Sequence, residues 1–185
     1  MMKEHGIEVF EKALRILDSK LAKLDKSITI RAIGGFAMLY NGITEHGFTM
    51  DIDSLTEDFD DVVVKAISEV GEECGLDTNW LNNDCAMLEG FLGELSDRIN
   101  WTDTMYELQR ITLYVADYVG LIRSKAKAVH DGGLVPRKTD KRDLMLLLKM
   151  GNINTISEVD NDSKIGFIRE EYSRTYDCLK EQSVW

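Results

Sequence analysis

The chain contains few of the residues that mark secreted or zinc-dependent proteins. It has one proline, three cysteines and three histidines among 185 residues. The single proline disfavours proline-rich linkers and long structureless loops. Cys74, Cys85 and Cys178 are odd in number, widely spaced and form no C-x-x-C pair. We therefore expect free thiols and a cytoplasmic protein. The histidines show no spacing typical of zinc ligands.

Long apolar runs and an excess of positive charge are missing as well. No run of roughly 18 uncharged apolar residues occurs, and the charged N-terminus lacks the apolar segment of a secretory signal. We therefore expect no membrane partner. The chain has 22 Lys and Arg against 33 Asp and Glu, for a net charge of -11. Because neutralising phosphates takes clustered basic residues, this balance disfavours binding to duplex DNA.

The pattern of apolar residues predicts a folded α+β chain. Hydrophobic residues make up 44% of the sequence, which is too many for a disordered chain. Short β-branched or alternating segments predict strands over 27–33, 48–55 and 109–116. Three- and four-residue apolar steps predict helices over 7–24, 36–40, 59–74, 117–129, 138–150 and from 165 to the end. The late segments are helical only, so the fold class is α+β with a helical C-terminal part.

The most informative pattern joins a pair of glycines to a pair of acids. Gly34 and Gly35 end the first predicted strand, and Asp51 and Asp53 lie on the next strand. Acids at i and i+2 of a strand project from one face and can hold Mg²⁺ through oxygen ligands. Glycines without β-carbons let the backbone approach a triphosphate, and the following helix offers N–H donors. We expect both carboxylates beside this turn, at the rim of a small sheet.

Each half of that pattern has a simpler interpretation when it stands alone. A D-x-D sequence in an acidic chain is often a solvated strand end, and two consecutive glycines usually form a turn. The conjunction of strand, G-G, short helix, strand and D-x-D is much more specific than either part.

Here the sequence resembles nucleotidyltransferases related to DNA polymerase beta. Their signature is a hydrophobic residue, G-G or G-S, a short helix, then D-x-D or D-x-E. The chain has I-G-G-F-A at 33–37 and T-M-D-I-D at 49–53. It is most similar to bacterial proteins of the abortive-infection toxin type. Residues 117–128 resemble the relatives' lysine-bearing helix, and R-K-T-D-K-R-D-L at 137–144 resembles their R-x-x-D-x-x-D-L helix start.

The resemblance, which runs from about Ile28 to Leu148, implies a fold and an activity. The fold would have an N-terminal helix packed on the core (1–26), a core with a small mixed sheet (27–130) and a helical part (131–185). The activity would be transfer of a nucleoside monophosphate from an NTP, with Mg²⁺ or Mn²⁺. The acceptor would be an RNA end such as that of tRNA, a protein or a small molecule. Two alternatives stay open, a nucleotide-binding module without catalysis and a toxin restrained by an antitoxin chain.

The resemblance also implies roles for individual residues. Asp51 and Asp53 would be the catalytic metal ligands. The nucleotide-binding residues would be Gly34, Gly35, Thr49 and Lys125. Active relatives often carry a third carboxylate on a later strand, for which the candidates are Glu107 and Asp103. The supporting residues would be Asp140 and Arg137. A solvated lysine and an acid that complements a helix dipole are the alternative interpretations of Lys125 and Asp140.

Overall fold

A computed structural model describes residues 5–43, 47–57, 59–88, 90–132 and 137–181. Within these ranges the chain forms five strands and eight α-helices. The strands are β1 (Ile28–Ile33), β2 (Ile52–Ser54), β3 (Leu81–Asn82), β4 (Trp101–Asp103) and β5 (Ile111–Ala116). The helices are α1 (Ile7–Lys23), α2 (Gly34–Tyr40), α3 (Asp61–Cys74), α4 (Tyr118–Asp131), α5 (Lys138–Met150), α6 (Ile156–Asn161), α7 (Phe167–Glu171) and α8 (Ser173–Lys180).

The strands form one mixed sheet in the order β3-β2-β1-β5-β4. The central strands β1 and β5 are parallel, with Ile28 opposite Ile111. On one side of this pair β2 is antiparallel to β1, and β3 then runs parallel to β2. On the other side β4 is antiparallel to β5. Because helices flank this mixed sheet, the expected α+β class is confirmed.

The core beside the sheet is formed by apolar side chains of β1, β5 and α1. Burial alternates along both strands, and the apolar side chains of α1 lie along one stripe of the helix. Ile30 and Ala32 of β1 are fully buried, and Leu14, Leu17 and Leu21 of α1 are at most 1% exposed. Burying such leucines contributes about 1.5–3 kcal/mol each relative to leaving them in water. The predicted N-terminal helix is therefore a core element, and it packs against α3 and α2.

Several predicted elements differ from those in the structure. The second strand is only Ile52–Ser54, because Thr49 instead forms an isolated bridge with His5. The helix α3 begins at Asp61, two residues later than the predicted start at 59, and is capped by Asp60, which accepts the Val63 amide. The last predicted helix is two helices, α7 and α8, because the backbone of Tyr172 leaves the helical region at φ -121° and ψ 61°.

Two strands are absent from the sequence prediction. The strands β3 and β4 lie in segments for which the sequence analysis predicts no helix or strand. They are two and three residues long, which is too short to show an alternating pattern. The turn before β3 contains Trp80, a fully buried side chain whose Nε1 donates to the Ile67 carbonyl over 2.8 Å.

The chain divides into two compact units, residues 1–117 and 118–185. The expected boundary was 130/131, at the end of α4, whereas the division falls at its start. This helix belongs to the second unit because it packs on α5 and α8. Among the described residues, none of the helices combines the length and the apolar character needed to cross a lipid bilayer.

Candidate functional site

The turn between β1 and α2 is built from two glycines, and a carboxylate lies directly against it. Gly34 has a φ of +64°, in the left-handed region that favours glycine. A β-carbon at this position would lie only 2.6 Å from Oδ2 of Asp53. The carboxylate is there because Asp53 of β2 pairs with Ile33, the last residue of β1. The G-G turn and the second acid therefore meet, as the sequence pattern predicts.

The first acid lies beside the second. Asp51 directly precedes β2, two residues before Asp53, and the Ile52 amide between them donates to the Trp80 carbonyl over 2.7 Å. The charge of Asp53 is close enough to raise the pKa of Asp51. Ile52 is fully buried while both acids are half-buried, so the alternation of a strand turns the two carboxylates to one side.

Thr49 closes the other half of the turn. A β-carbon at Gly35 would collide with Oγ1 of Thr49 and would lie 3.0 Å from its Cβ. The backbone of Thr49 is fixed by a two-way bridge, in which its N–H donates to the His5 carbonyl over 2.9 Å and its carbonyl accepts the His5 N–H over 2.7 Å. The Thr49 hydroxyl also donates to the Asp51 carbonyl over 3.4 Å. Thr49 therefore shapes the glycine turn and the approach to Asp51.

A further site residue, Asn82, is not among the site residues predicted from the sequence. It lies in β3, in register with Asp53, and is only 8% exposed. Its Nδ2 donates to Oδ2 of Asp51 over 3.4 Å, and its Oδ1 accepts the Asp84 N–H over 3.1 Å. This second bond fixes which way the amide points, so the donor end faces the carboxylate. An asparagine outside any predicted strand carries no signal of this kind in the sequence.

The site carries an excess of negative charge. The pKa of Asp51 is raised to about 6, first by burial and next by the charge of Asp53. More distant acids, Asp84 and Asp77, raise it further, while the hydrogen bond from Asn82 lowers it. A cation between the two carboxylates would relieve both the burial cost and the repulsion.

The predicted third carboxylate is not brought to this pair. Asp103 is an exposed residue of β4, and three strand spacings, about 14 Å in total, separate β4 from β2. Glu107 is exposed and precedes β5, whose first residue pairs with the start of β1, at the opposite end from Ile33. Within the described ranges, no set of three or more His, Cys, Asp or Glu side chains could hold a metal.

The remaining predicted residues form an ion cluster in the second unit. The ammonium of Lys125 lies 2.9 Å from Oδ1 of Asp140 and 2.9 Å from Oδ2 of Asp143, and Arg137 Nε lies 3.0 Å from the other oxygen of Asp140. The side chains of Lys125 and Asp140 are only 12% and 8% exposed. Burial lowers the pKa of Lys125, but the charges of Asp140 and Asp143 outweigh it and raise that pKa.

The donor set at Asp51 and Asp53 suits one hard divalent cation. Carboxylate oxygens are preferred by Mg²⁺ and Mn²⁺, and Mg²⁺ commonly takes one or two carboxylates while water and phosphate oxygens complete its shell. No protein-family model, curated protein or solved structure matches the chain.

Proposed function

We propose that this protein transfers a nucleoside monophosphate from an NTP to the hydroxyl of an acceptor. The observation that carries the proposal is the contact between the Asp53 carboxylate and the backbone of Gly34, with Asp51 beside it. A solvated strand end would not need a glycine with positive φ packed against its carboxylate. The proposal is supported by this juxtaposition, because carboxylates are ligands for divalent cations and glycine turns often bind phosphates.

Each residue of the site has a task in the proposed reaction. Asp51 and Asp53 would hold Mg²⁺, and a bound Mg²⁺ neutralises charge on the phosphoryl group undergoing transfer. Gly34 and Gly35 provide the surface on which the phosphates lie. Thr49 and Asn82 orient Asp51, through its carbonyl and its carboxylate respectively. Catalysis on this basis comes mainly from positioning and electrostatics.

Lys125 has a different task in this proposal from the one the resemblance implies. Its charge is already matched by the carboxylates of Asp140 and Asp143. Breaking those contacts to reach a phosphate would leave two nearly buried carboxylates with only the exposed Arg137 and Arg142 as partners, which is costly. We therefore assign Lys125 to the stability of the α4–α5 pair, and nucleotide contact to the glycine turn.

Label transfer tests the proposed function directly. The protein is incubated with Mg²⁺ or Mn²⁺, total tRNA and cellular protein, and each NTP labelled at either the α- or the γ-phosphate. Nucleotidyl transfer moves the α-label to the acceptor and releases the γ-label with pyrophosphate. The variant Asp51→Asn/Asp53→Asn should lose transfer, while Glu72→Gln/Glu73→Gln, which neutralises two exposed acids of α3, should keep it. Transfer of the γ-label instead would replace this proposal with phosphoryl transfer.

A second candidate is nucleotide binding without transfer. The residue that favours it is Asn82, since an amide stands on the strand next to Asp53 where another acid would enlarge the ligand set. In that case Mg²⁺ and NTP bind to the wild-type protein, but neither label moves to any acceptor. Asn82→Asp then tests whether one added carboxylate is sufficient to start transfer.

A further inference from the structure

Arg31 of β1 lies on the same side of the sheet as the two acids. Asp53 is directly opposite Ile33, and Arg31 is two residues earlier on the same strand. Residues two apart on a strand share a face, so Arg31 and Asp53 are diagonal neighbours, about 7–8 Å apart. The intervening Ala32 is fully buried on the other face, while Arg31 is half-buried. Arg31 therefore lies on the strand face that carries Asp53.

The guanidinium of Arg31 has no acidic partner within the described ranges. Its Nε is buried and makes no hydrogen bond, and no carboxylate of the described residues lies within ion-pair distance of it. The guanidinium lies over the ring of Trp101, whose centroid is 6.0 Å from Cζ. By contrast the backbone is held firmly, since the Arg31 N–H donates to Ser54 Oγ and its carbonyl accepts the Leu55 N–H.

Arg31 also lines a cavity of about 480 Å³ between the start of β1 and the segment before α3. Hydroxyls of Thr29 and Thr56 line the same cavity. The other charged residues of its wall are Lys26 and Asp60, which pair over 2.7 Å, and the exposed Glu57. Of the two basic residues in this wall, Lys26 is paired with Asp60, whereas Arg31 has no described carboxylate within ion-pair distance.

We propose that Arg31 binds a phosphate group in this cavity. The buried Nε of Arg31 makes no hydrogen bond, which is costly for a polar atom out of water. In a chain of net charge -11 carboxylates are abundant, yet none of the described ones is placed on this guanidinium. The planar fork of arginine matches phosphate oxygens in a bidentate way. Only the source of the phosphate rests on the proposed function: it is either the end of the NTP triphosphate or a phosphate of the acceptor.

Calorimetry with tripolyphosphate, in the absence of metal, tests the site. Arg31→Met should weaken binding about tenfold or more, as expected for loss of a charge-assisted hydrogen bond. Arg31→Lys keeps the charge but loses the fork, so its affinity should be intermediate. Arg110→Met is the matched control, because Arg110 pairs with Asp25 outside the cavity and its loss changes net charge equally. Equal affinities of wild type and Arg31→Met would overturn the proposal, even if that variant melts at a lower temperature through loss of the Trp101 contact.

Two further arms separate this inference from the proposed function and identify the phosphate source. Asp51→Asn/Asp53→Asn should bind tripolyphosphate at least as tightly as wild type, since it carries less negative charge near the site. If it does while NTP with Mg²⁺ fails to bind wild type, the proposed function is wrong and the Arg31 site stands. The effect of Arg31→Met on each ligand identifies the source. Weaker binding of NTP–Mg²⁺ assigns the NTP, and weaker binding of a short 5′-phosphorylated RNA alone assigns the acceptor. If Arg31→Met changes the affinity for neither ligand, the inference is wrong.

Discussion

The side-chain amide of Asn82 donates to the carboxylate of Asp51 across the β2–β3 edge, over 3.4 Å. This contact links a strand that the sequence pattern does not predict to the acid that the pattern predicts best. Asn82 cannot turn away easily, because its other end accepts the Asp84 N–H. The amide therefore acts as a fixed donor that favours the ionised form of a half-buried carboxylate.

Replacing Asn82 by leucine should raise the pKa of Asp51 above its value of about 6. The hydrogen bond from Asn82 lowers this pKa at present, and an apolar side chain adds burial without a donor. The measurement is an NMR titration of the Asp51 carboxyl in the metal-free protein. Asn79→Leu, at an exposed position three residues away, should leave the pKa of Asp51 unchanged. An unchanged midpoint in Asn82→Leu would show that the amide does not act on Asp51.

Asp51→Asn should stabilise the metal-free protein at neutral pH. The pKa of Asp51 is raised in the folded state from 3.8 to about 6, so the folded state holds the proton more tightly than the unfolded state. The wild type therefore gains stability as the pH falls through 6, and the gain is complete below 3.8. Allowing for partial exposure of the group, the mutant should be about 1–2 kcal/mol more stable at pH 7.

Urea unfolding at pH 7.5, 5 and 3.5 measures that difference. It should shrink as the pH falls and disappear below the unfolded pKa, where Asp51 is protonated in both states. The control Glu72→Gln removes an exposed carboxylate of α3 and should show no such trend. A stability difference that is constant with pH would mean that burial of Asp51 does not affect its ionisation.

The sequence predicts the parts of the site that depend on local pattern. The strands β1 and β5, the helix α5 with its bounds at Lys138 and Met150, and the meeting of Asp53 with the G-G turn all follow from neighbouring residues. The β-branched and apolar runs of these elements are long enough to show their period, and the spacing of Asp51 and Asp53 alone sets their shared side.

The parts that could not be predicted depend on contacts between distant segments. Asn82 becomes a site residue only because β3 pairs with β2 in one particular register, and a two-residue strand shows no period. Lys125 looks like any charged residue of a helix until Asp143 of α5 joins Asp140 against it. Likewise, the residues around Arg31 and Arg110 in the sequence do not predict that Arg110 pairs with Asp25 while Arg31 pairs with no described carboxylate.

Gly34→Ala should destabilise the protein more than Gly42→Ala. Both glycines have a positive φ, +64° and +69°, so both variants bear the same backbone strain of about 1 kcal/mol or more. Only at Gly34 does the new β-carbon meet a carboxylate, Oδ2 of Asp53 at 2.6 Å, whereas nothing lies within 4 Å of one at Gly42. Thermal unfolding of both variants measures the difference, and NTP binding should be lost in Gly34→Ala alone. Equal effects on both readouts would contradict the proposed packing of Asp53 on the turn.

Lys125→Met should destabilise the protein by up to about 3–5 kcal/mol, because it leaves Asp140 and Asp143 nearly buried with only the exposed Arg137 and Arg142 as partners. Lys125→Met/Asp140→Asn should recover part of that loss, since one uncompensated charge is removed. The free energies of unfolding come from urea titration at pH 7. Lys127→Met is the matched control, because Lys127 pairs with Asp131, which is 42% exposed, and should cost much less. If Lys125→Met is as stable as wild type but no longer binds NTP, Lys125 is a nucleotide ligand and our structural assignment is wrong.

Mg²⁺ together with an NTP should raise the melting temperature of the wild-type protein by several degrees at saturating concentrations. A ligand that binds only the folded state stabilises it by mass action, by about 2.7 kcal/mol at a hundred times its Kd. Asp51→Asn/Asp53→Asn should abolish this shift, while its metal-free melting temperature is equal to or higher than that of wild type, because the repulsion between the two carboxylates is gone. Glu72→Gln/Glu73→Gln, which removes the same charge from an exposed part of α3, should keep the full shift. A shift of the same size in all three proteins would place the ligand elsewhere and leave Asp51 and Asp53 as a strand end without a cation.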